Sequence, residues 1–367
     1  MKIEMVDLRI TYCKYFRYLI KNSDIKSIDE FYYSKFNESP SSFRKCIKGT
    51  VKDITFEKVL NKLSNHFKYI VPTKEETEEI VSFFVNVYKK IYYKYDTKFT
   101  EELNQIEKWI NEKNVIYPIC LLYRVFINLS ISTRVSYNLN KFKDDMSEIR
   151  RMELVYDGIF KEIFDLLELS FKKEIPEQVF TKEYNNDLMY YLLSSKSVLT
   201  GDYVRTKYSI EIAKKRFLET SNVKRIIAIN LIQMLCYNIV EHYDECIKLA
   251  EEQLCALGSI SNINEENVRD VTILNLVIAY TGFKEYDKAL KMLETKTKLE
   301  KNEVAIYVIC RYRLGLNVEG LIVSNNSRGK QIDELISIII NVLAKKESIN
   351  IFKKINLNPS ILKLLSL

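Results

Sequence analysis

Glycine and proline are scarce: eight and five in 367 residues. A β-sandwich or barrel turns the chain back every few residues, and this chain lacks the residues to do so. Histidine is scarcer still, only His66 and His242. The seven cysteines (13, 46, 120, 236, 246, 255 and 310) contain no Cys-x-x-Cys pair, so zinc sites of the usual spacing are excluded. An odd, scattered set of this kind predicts reduced and mostly buried thiols. Walker A, Gly-x-Gly-x-x-Gly and Gly-x-Ser-x-Gly are all missing. Cys246 lies one helical turn from His242, a chance proximity rather than a nucleophile and its base. No apolar run reaches a membrane span; the most apolar stretch, around Ile119–Ile127, is interrupted by Arg124, and no secretory signal follows Met1. The expectation is a soluble, cytoplasmic protein that is not an enzyme and needs no cofactor or metal.

What the chain does have is apolar bulk and unevenly placed charge. It is 47% hydrophobic and 29% charged, enough for a large core and more than one domain. The formal net charge is +7. Residues 1–70 hold fourteen Lys and Arg against eight Asp and Glu, while the other 297 residues are close to balanced. A small basic module on a neutral body points to nucleic acid, although a solvated basic surface has the same composition.

The basic stretch reads as short helices. Ser27-Ile-Asp-Glu30 is a capping box, predicting a helix from just after Ser27 to about Phe36. Asn37-Glu-Ser-Pro40 breaks it. Ser39 caps the next helix, with Pro40 in its first position, and Gly49 stops that helix after Lys48. A further helix is expected from Thr55, with Ile54 and Val59 as a hydrophobic staple and Phe56, Val59, Leu60, Leu63 and Phe67 on one face. Two short helices and a longer packing helix form a candidate helix-turn-helix. In the helix at 40–48, Phe43 and Ile47 face inward. Ser41, Ser42, Arg44, Lys45 and Lys48 face outward, and these are donors for phosphates and base edges of double-stranded DNA.

From about residue 73 the chain is helix after helix. Thr73-Lys-Glu-Glu76 is another capping box, followed by Ile80, Phe84, Val87 and Ile91 at helical spacing. The second half repeats itself. Tyr203, Tyr243 and Tyr286 each open a helix of similar character, 40 and 43 residues apart, and each is preceded by an apolar helix, at 186–199, 223–239 and 267–280. This predicts stacked antiparallel helix pairs in a degenerate tetratricopeptide-like, right-handed solenoid. The first helix of each pair should line the groove, and its polar residues are the candidate ligand contacts: Arg225, Gln233, Asn238, Asn275 and Asn302. Asparagine offers both donor and acceptor, so such an array can clamp an extended peptide backbone. Arg225 offers a fork for a carboxylate or carbonyl. Taken singly, each is equally an ordinary interhelix polar residue.

The final stretch is the most aliphatic part of the chain and ends Ile361-Leu-Lys-Leu-Leu-Ser-Leu367. An apolar end needs cover. A second copy of the chain, giving a homodimer through the C-terminal helices, is one source; folding back as a cap is the other. The domain reading is 1–70 for DNA binding, 71–330 for the solenoid and 331–367 for C-terminal capping or dimerisation.

Three stretches carry a family resemblance, LETSNVKR (218–225), YDKALKMLETKTKLEKNEVAIYVICRYRLG (286–315) and the closing ILKLLSL, and SPSSFRKCIKGTVKDITFEKVLNKL (39–63) is similar in layout. With the overall layout they make the chain similar to the arbitrium receptors (AimR) of temperate phages, within the RRNPP peptide-sensing regulators of Gram-positive bacteria. The resemblance spans nearly the whole chain and is strong over a small part of it. It implies an all-α, dimeric transcription regulator controlling the choice between lysis and lysogeny. Such a regulator sits on its operator until a short communication peptide binds the groove and switches it off. The family's peptide-contacting Arg falls on Arg225 and one contacting Asn on Asn302. Another falls on Cys236, with Asn238 close by, and Asp333 is the candidate acidic partner. Rival readings are a chromosomal quorum-sensing regulator of the same group and a repeat scaffold that binds protein without DNA.

Overall fold

Helices account for all the regular structure that the computed structural model assigns among its described residues, apart from one isolated bridge between Ile70 and Asn114. Those residues are 7–25, 27–93, 98–131, 142–172, 174–258, 265–296, 299–318, 329–346, 348, 352 and 357–366. Few turn residues and long 3.6-residue apolar periodicity leave the backbone no other way to satisfy its hydrogen bonds. The chain divides into two units, Met1–Met189 and Tyr190–Leu367.

The first unit contains α1 (Leu8–Lys21), α2 (Ile28–Phe36), α3 (Ser41–Ile47), α4 (Asp53–Phe67), α5 (Lys74–Tyr93), α6 (Thr100–Asn111), α7 (Tyr117–Ile131), α8 (Lys143–Arg151) and α9 (Gly158–Phe171). The local signals hold where they are strongest. Ser27 Oγ accepts from the Glu30 amide, and Thr73 and Glu76 cap each other reciprocally. Helix α7 packs against α5, α6, α8 and α9, which buries Ile119–Cys120 through Phe126–Ile127. Arg124 escapes that core by pairing with Glu107 and Asp145 at 2.9 and 2.8 Å. Helix α1 joins the N-terminal helices to residues beyond 70: Tyr12 meets Thr77, Tyr18 donates to Glu148, and Lys14 pairs with Asp157.

The second unit continues with most of α10 (Asp187–Thr200), then α11 (Tyr203–Glu219), α12 (Val223–Ile239), α13 (Tyr243–Leu257), α14 (Glu265–Gly282), α15 (Tyr286–Glu294), α16 (Lys301–Arg313), α17 (Gly329–Leu343) and α18 (Pro359–Ser366). From α11 to α17 each helix packs on the next. Links of three residues, Thr220–Asn222, Val240–His242 and Phe283–Glu285, make linked neighbours antiparallel. Helices α12, α14 and α16 also touch one another and form a row. In these three the apolar residues are not gathered on one face, whereas α13, α15 and α17 are amphipathic.

Each repeated tyrosine sits at the first position of its helix. The Tyr203 ring meets His242 edge-on at 5.6 Å, and the Tyr243 ring abuts Gly282. Both contacts reach 39 residues downstream, to the turn of the following pair. The repeat therefore records an interlock between successive pairs.

Lys214 of α11 is half-buried, and burial, only partly offset by Glu252, pulls its ammonium down to about 8. With the folded value below the unfolded one, the unfolded state binds more protons between about pH 8 and 10.5. Lys214 thus costs stability at neutral pH, and that cost fades as pH rises through the window. Lys214→Met is expected to raise stability by roughly 2 kcal/mol at pH 7. Urea midpoints of the two proteins should converge above pH 10.5; a constant gap would disprove the titration.

Candidate functional site

The N-terminal helices place the predicted DNA contacts as follows. Helix α3 runs over Ser41–Ile47, one residue shorter at each end than expected, with Pro40 as its N-cap residue and Lys48 as its C-cap residue. Ser39 Oγ accepts from the Ser41 amide at 3.3 Å. Phe43 and Cys46 are fully buried, and Ile47 is half-buried. The inward pair is therefore spaced by three residues rather than four, because so short a helix tips toward α1 and α4. Phe43 stacks on Tyr32 of α2 at 5.4 Å, and the interaction with Cys46, together with burial, pushes the Cys13 thiol of α1 far up. Gly49 has φ +67°, the left-handed conformation that favours glycine at the stop after α3, and a Cβ there would also press the end of the Ile10 side chain at 2.8 Å. Helix α4 begins at Asp53, not Thr55, and Ile54 is 65% exposed, so no staple forms with Val59.

Ser41, Ser42, Arg44, Lys45 and Lys48 are all exposed. Arg44 pairs with Asp29 of α2. Lys45 and Lys48 have no acidic partner among the described residues. Around them Lys62 pairs with Glu38, and Arg9 pairs with Asp7 and Asp53. Exposed pairs such as Arg44–Asp29 contribute little to stability.

In the second unit the candidate peptide contacts do not form one cluster. Arg225 lies in the first turn of α12, buried, with its guanidinium 5.1 Å over the Tyr191 ring. Gln233 Nε2 donates to the Tyr237 hydroxyl at 2.6 Å. Asn238 is fully buried and donates to the backbone and side-chain oxygens of Asn275 at 3.0 and 3.2 Å, while Asn275 Nδ2 donates to the Val271 carbonyl. These two asparagines tie α12 to α14 inside the core. Asn302 is half-buried at the start of α16, and its Oδ1 accepts from the backbone N–H of Asn358 at 3.1 Å. The side chain of Asp333, in α17, lies outside the described residues.

The aliphatic end of the chain carries the more telling arrangement, with Glu241 as the one partner that the sequence reading overlooked. Helix α18 packs on α12, α14 and α16 together, and on α17. It buries Ser360, Ile361, Leu364 and Leu365, and Lys363 pairs with Glu241 at 3.2 Å. The aliphatic end is thus covered by its own chain, the second of the two sources the sequence left open. The signal that could have found this is that apolar residues of α12, α14 and α16 are spread over more than one face, so each packs on more than one side.

Cysteine chemistry is quiet. All seven thiols are free; six are buried and Cys255 is exposed. Burial pushes Cys246 up to about 12, and its sulfur faces the Met234 and Asn275 carbonyls rather than His242. Among the described residues no group of His, Cys, Asp and Glu could hold a metal ion, and no helix is long and apolar enough to cross a membrane. Compared with family models, with curated proteins and with solved structures, the chain matches none.

Proposed function

We propose that this protein is a peptide-responsive DNA-binding transcription regulator of the arbitrium-receptor kind, acting in the cytoplasm on the lysis–lysogeny decision of a temperate phage. In this reading α2 and α3 are a helix-turn-helix, the stacked pairs are a tetratricopeptide-like sensor, and the active form is a homodimer. The observation that carries it is the outer face of α3: Ser41, Ser42, Lys45 and Lys48 exposed together on a helix held from behind by Phe43 and Cys46. A reading helix needs both a rigid seat and uncommitted donors. A dimer would set two such helices at half-site spacing, and a peptide that favours one shape of the sensor over another would change that spacing.

A mobility shift with double-stranded DNA from upstream of the following gene tests this. The wild-type chain is expected to bind, and the mature peptide of a neighbouring reading frame is expected to release it. Lys45→Ala with Lys48→Ala should weaken binding at least tenfold and reduce the salt slope by about 2, roughly one for each phosphate that is no longer neutralised. A double variant that binds like the wild type would sink the α3 assignment.

A second reading, a repeat scaffold without DNA, is favoured by the pairing of Arg9, Arg44 and Lys62 with carboxylates, which tempers the basic face. Function unchanged in Arg44→Ala with Lys45→Ala would support it.

A further inference from the structure

The row formed by α12, α14 and α16 holds a short helix of stated chemistry. Helix α18 is eight residues long, too short to be stable alone in water, so the row holds it in shape. Ile361, Leu364 and Leu365 stand at i, i+3 and i+4 and point into the row, while Lys363 and Ser366 stay exposed. Its ends are anchored by polar contacts. Asn302 at the start of α16 captures the Asn358 backbone N–H, and Glu241 just past the end of α12 pairs with Lys363. The path of α18 thus runs over all three helices of the row, with its polar contacts at the start of α16 and just past the end of α12. The Asn302 contact reads backbone rather than side chain, so any helix with a free N-terminal amide could make it. Arg225, at the opposite end of α12 from Glu241, lies away from this path.

We propose that this row is a receptor groove for a short amphipathic helix with aliphatic residues at i, i+3 and i+4. In this proposal α18 is its resident occupant, and an exogenous peptide binds as a helix by displacing α18. This deepens the sensor half of the function proposed above and rests on it for the existence of an exogenous ligand. A segment of the same chain competes intramolecularly with any free peptide, so the closed chain masks its own groove. The recognition mode is helix-in-groove rather than a clamped strand.

The test uses the full chain, without DNA, and a labelled synthetic peptide LNPSILKLLSL, the sequence of residues 357–367. By fluorescence anisotropy, a Leu364→Asp chain should bind this probe at least tenfold more tightly than the wild type, because a carboxylate at that buried position ejects α18. A probe carrying the same substitution should bind neither protein. By hydrogen exchange on the wild type, saturating probe should speed exchange of the amides of 359–366 and slow those of α14 and α16. Equal weak binding by both chains overturns the proposal. So does wild-type exchange in which α18 opens only with the whole unit and ignores the probe, and that readout decides the matter if Leu364→Asp does not fold. Probe binding without DNA binding would keep the groove and sink the regulator; DNA binding without probe binding would do the reverse.

Discussion

Gly282→Ala is expected to cost about 2–3 kcal/mol of stability, although alanine is ordinarily the better helix former. Gly282 is the last residue of α14, and a Cβ there would lie 2.2 Å from Tyr243 Cζ and 2.4–2.5 Å from the adjoining ring carbons. The ring is buried and cannot turn away without leaving its seat. A propensity gain of about 1 kcal/mol for Gly→Ala is outweighed by that expulsion. Urea denaturation should show the midpoint falling with the slope unchanged, since the unfolded surface is the same. Adding Tyr243→Leu should return most of the loss, because the smaller side chain vacates the space that the methyl needs. Independent, additive losses from the two substitutions would mean that the interlock between pairs does not exist.

Glu303→Ala is expected to cost about 3 kcal/mol, since it removes one partner of a nearly buried ion pair. Glu303 Oε1 accepts from Lys296 Nζ at 2.6 Å, and Oε2 accepts from the Glu300 amide at 2.8 Å, closing the cap of α16. Lys296 also reaches Asp270 of α14 at 2.9 Å. Burial opposes the charge on Lys296, but its hydrogen bonds to Glu303 and Asp270 outweigh burial and raise its pKa. With the folded value raised, the stabilisation is complete below the unfolded lysine pKa and is lost as pH rises through the folded one. The gap between wild type and Glu303→Ala should therefore narrow at strongly alkaline pH. Glu303→Gln should lose less at neutral pH, because the amide oxygen can still cap. Replacing both Lys296 and Glu303 with apolar residues should recover part of the loss. Thermal scans across pH test all three, and equal stability of Glu303→Ala and wild type at pH 7 would refute the pair's role.

The local architecture was legible wherever a cap or a turn spoke for itself. Helices α12 and α13 fall on the residues that their apolar period and Tyr-Asp start mark out, and Ser27 and Thr73 cap as their spacing requires. Helix α15 was not legible to its end. Its pattern continues toward Leu299, yet the helix stops at Glu294, and Lys296 reaches Asp270 and Glu303 instead. A pull across to two other helices overrides a weak local preference. Likewise Ile54 has the spacing of a staple but lies inside α4 and faces water, because the backbone turns helical two residues early. Of the candidate site, the exposed face of α3 follows from Phe43 alone, which must go inward. The roles of Asn238, Asn275 and Asn302 do not follow from sequence, because an asparagine in an apolar helix needs a partner without naming it.

By itself, the sequence determined that this protein is helical, where several of its helices start, that its excess of positive charge lies in the first 70 residues, and that its last residues need cover. Only the tertiary structure decided what covers them, that Asn238 meets Asn275, and that Asn302 holds the start of α18. The division follows from range. Caps and apolar periods act within a turn or two of helix, so they are written in consecutive residues. The contacts of α18 join residues 56 and 122 positions apart, and no local pattern says which of several apolar faces will pack together.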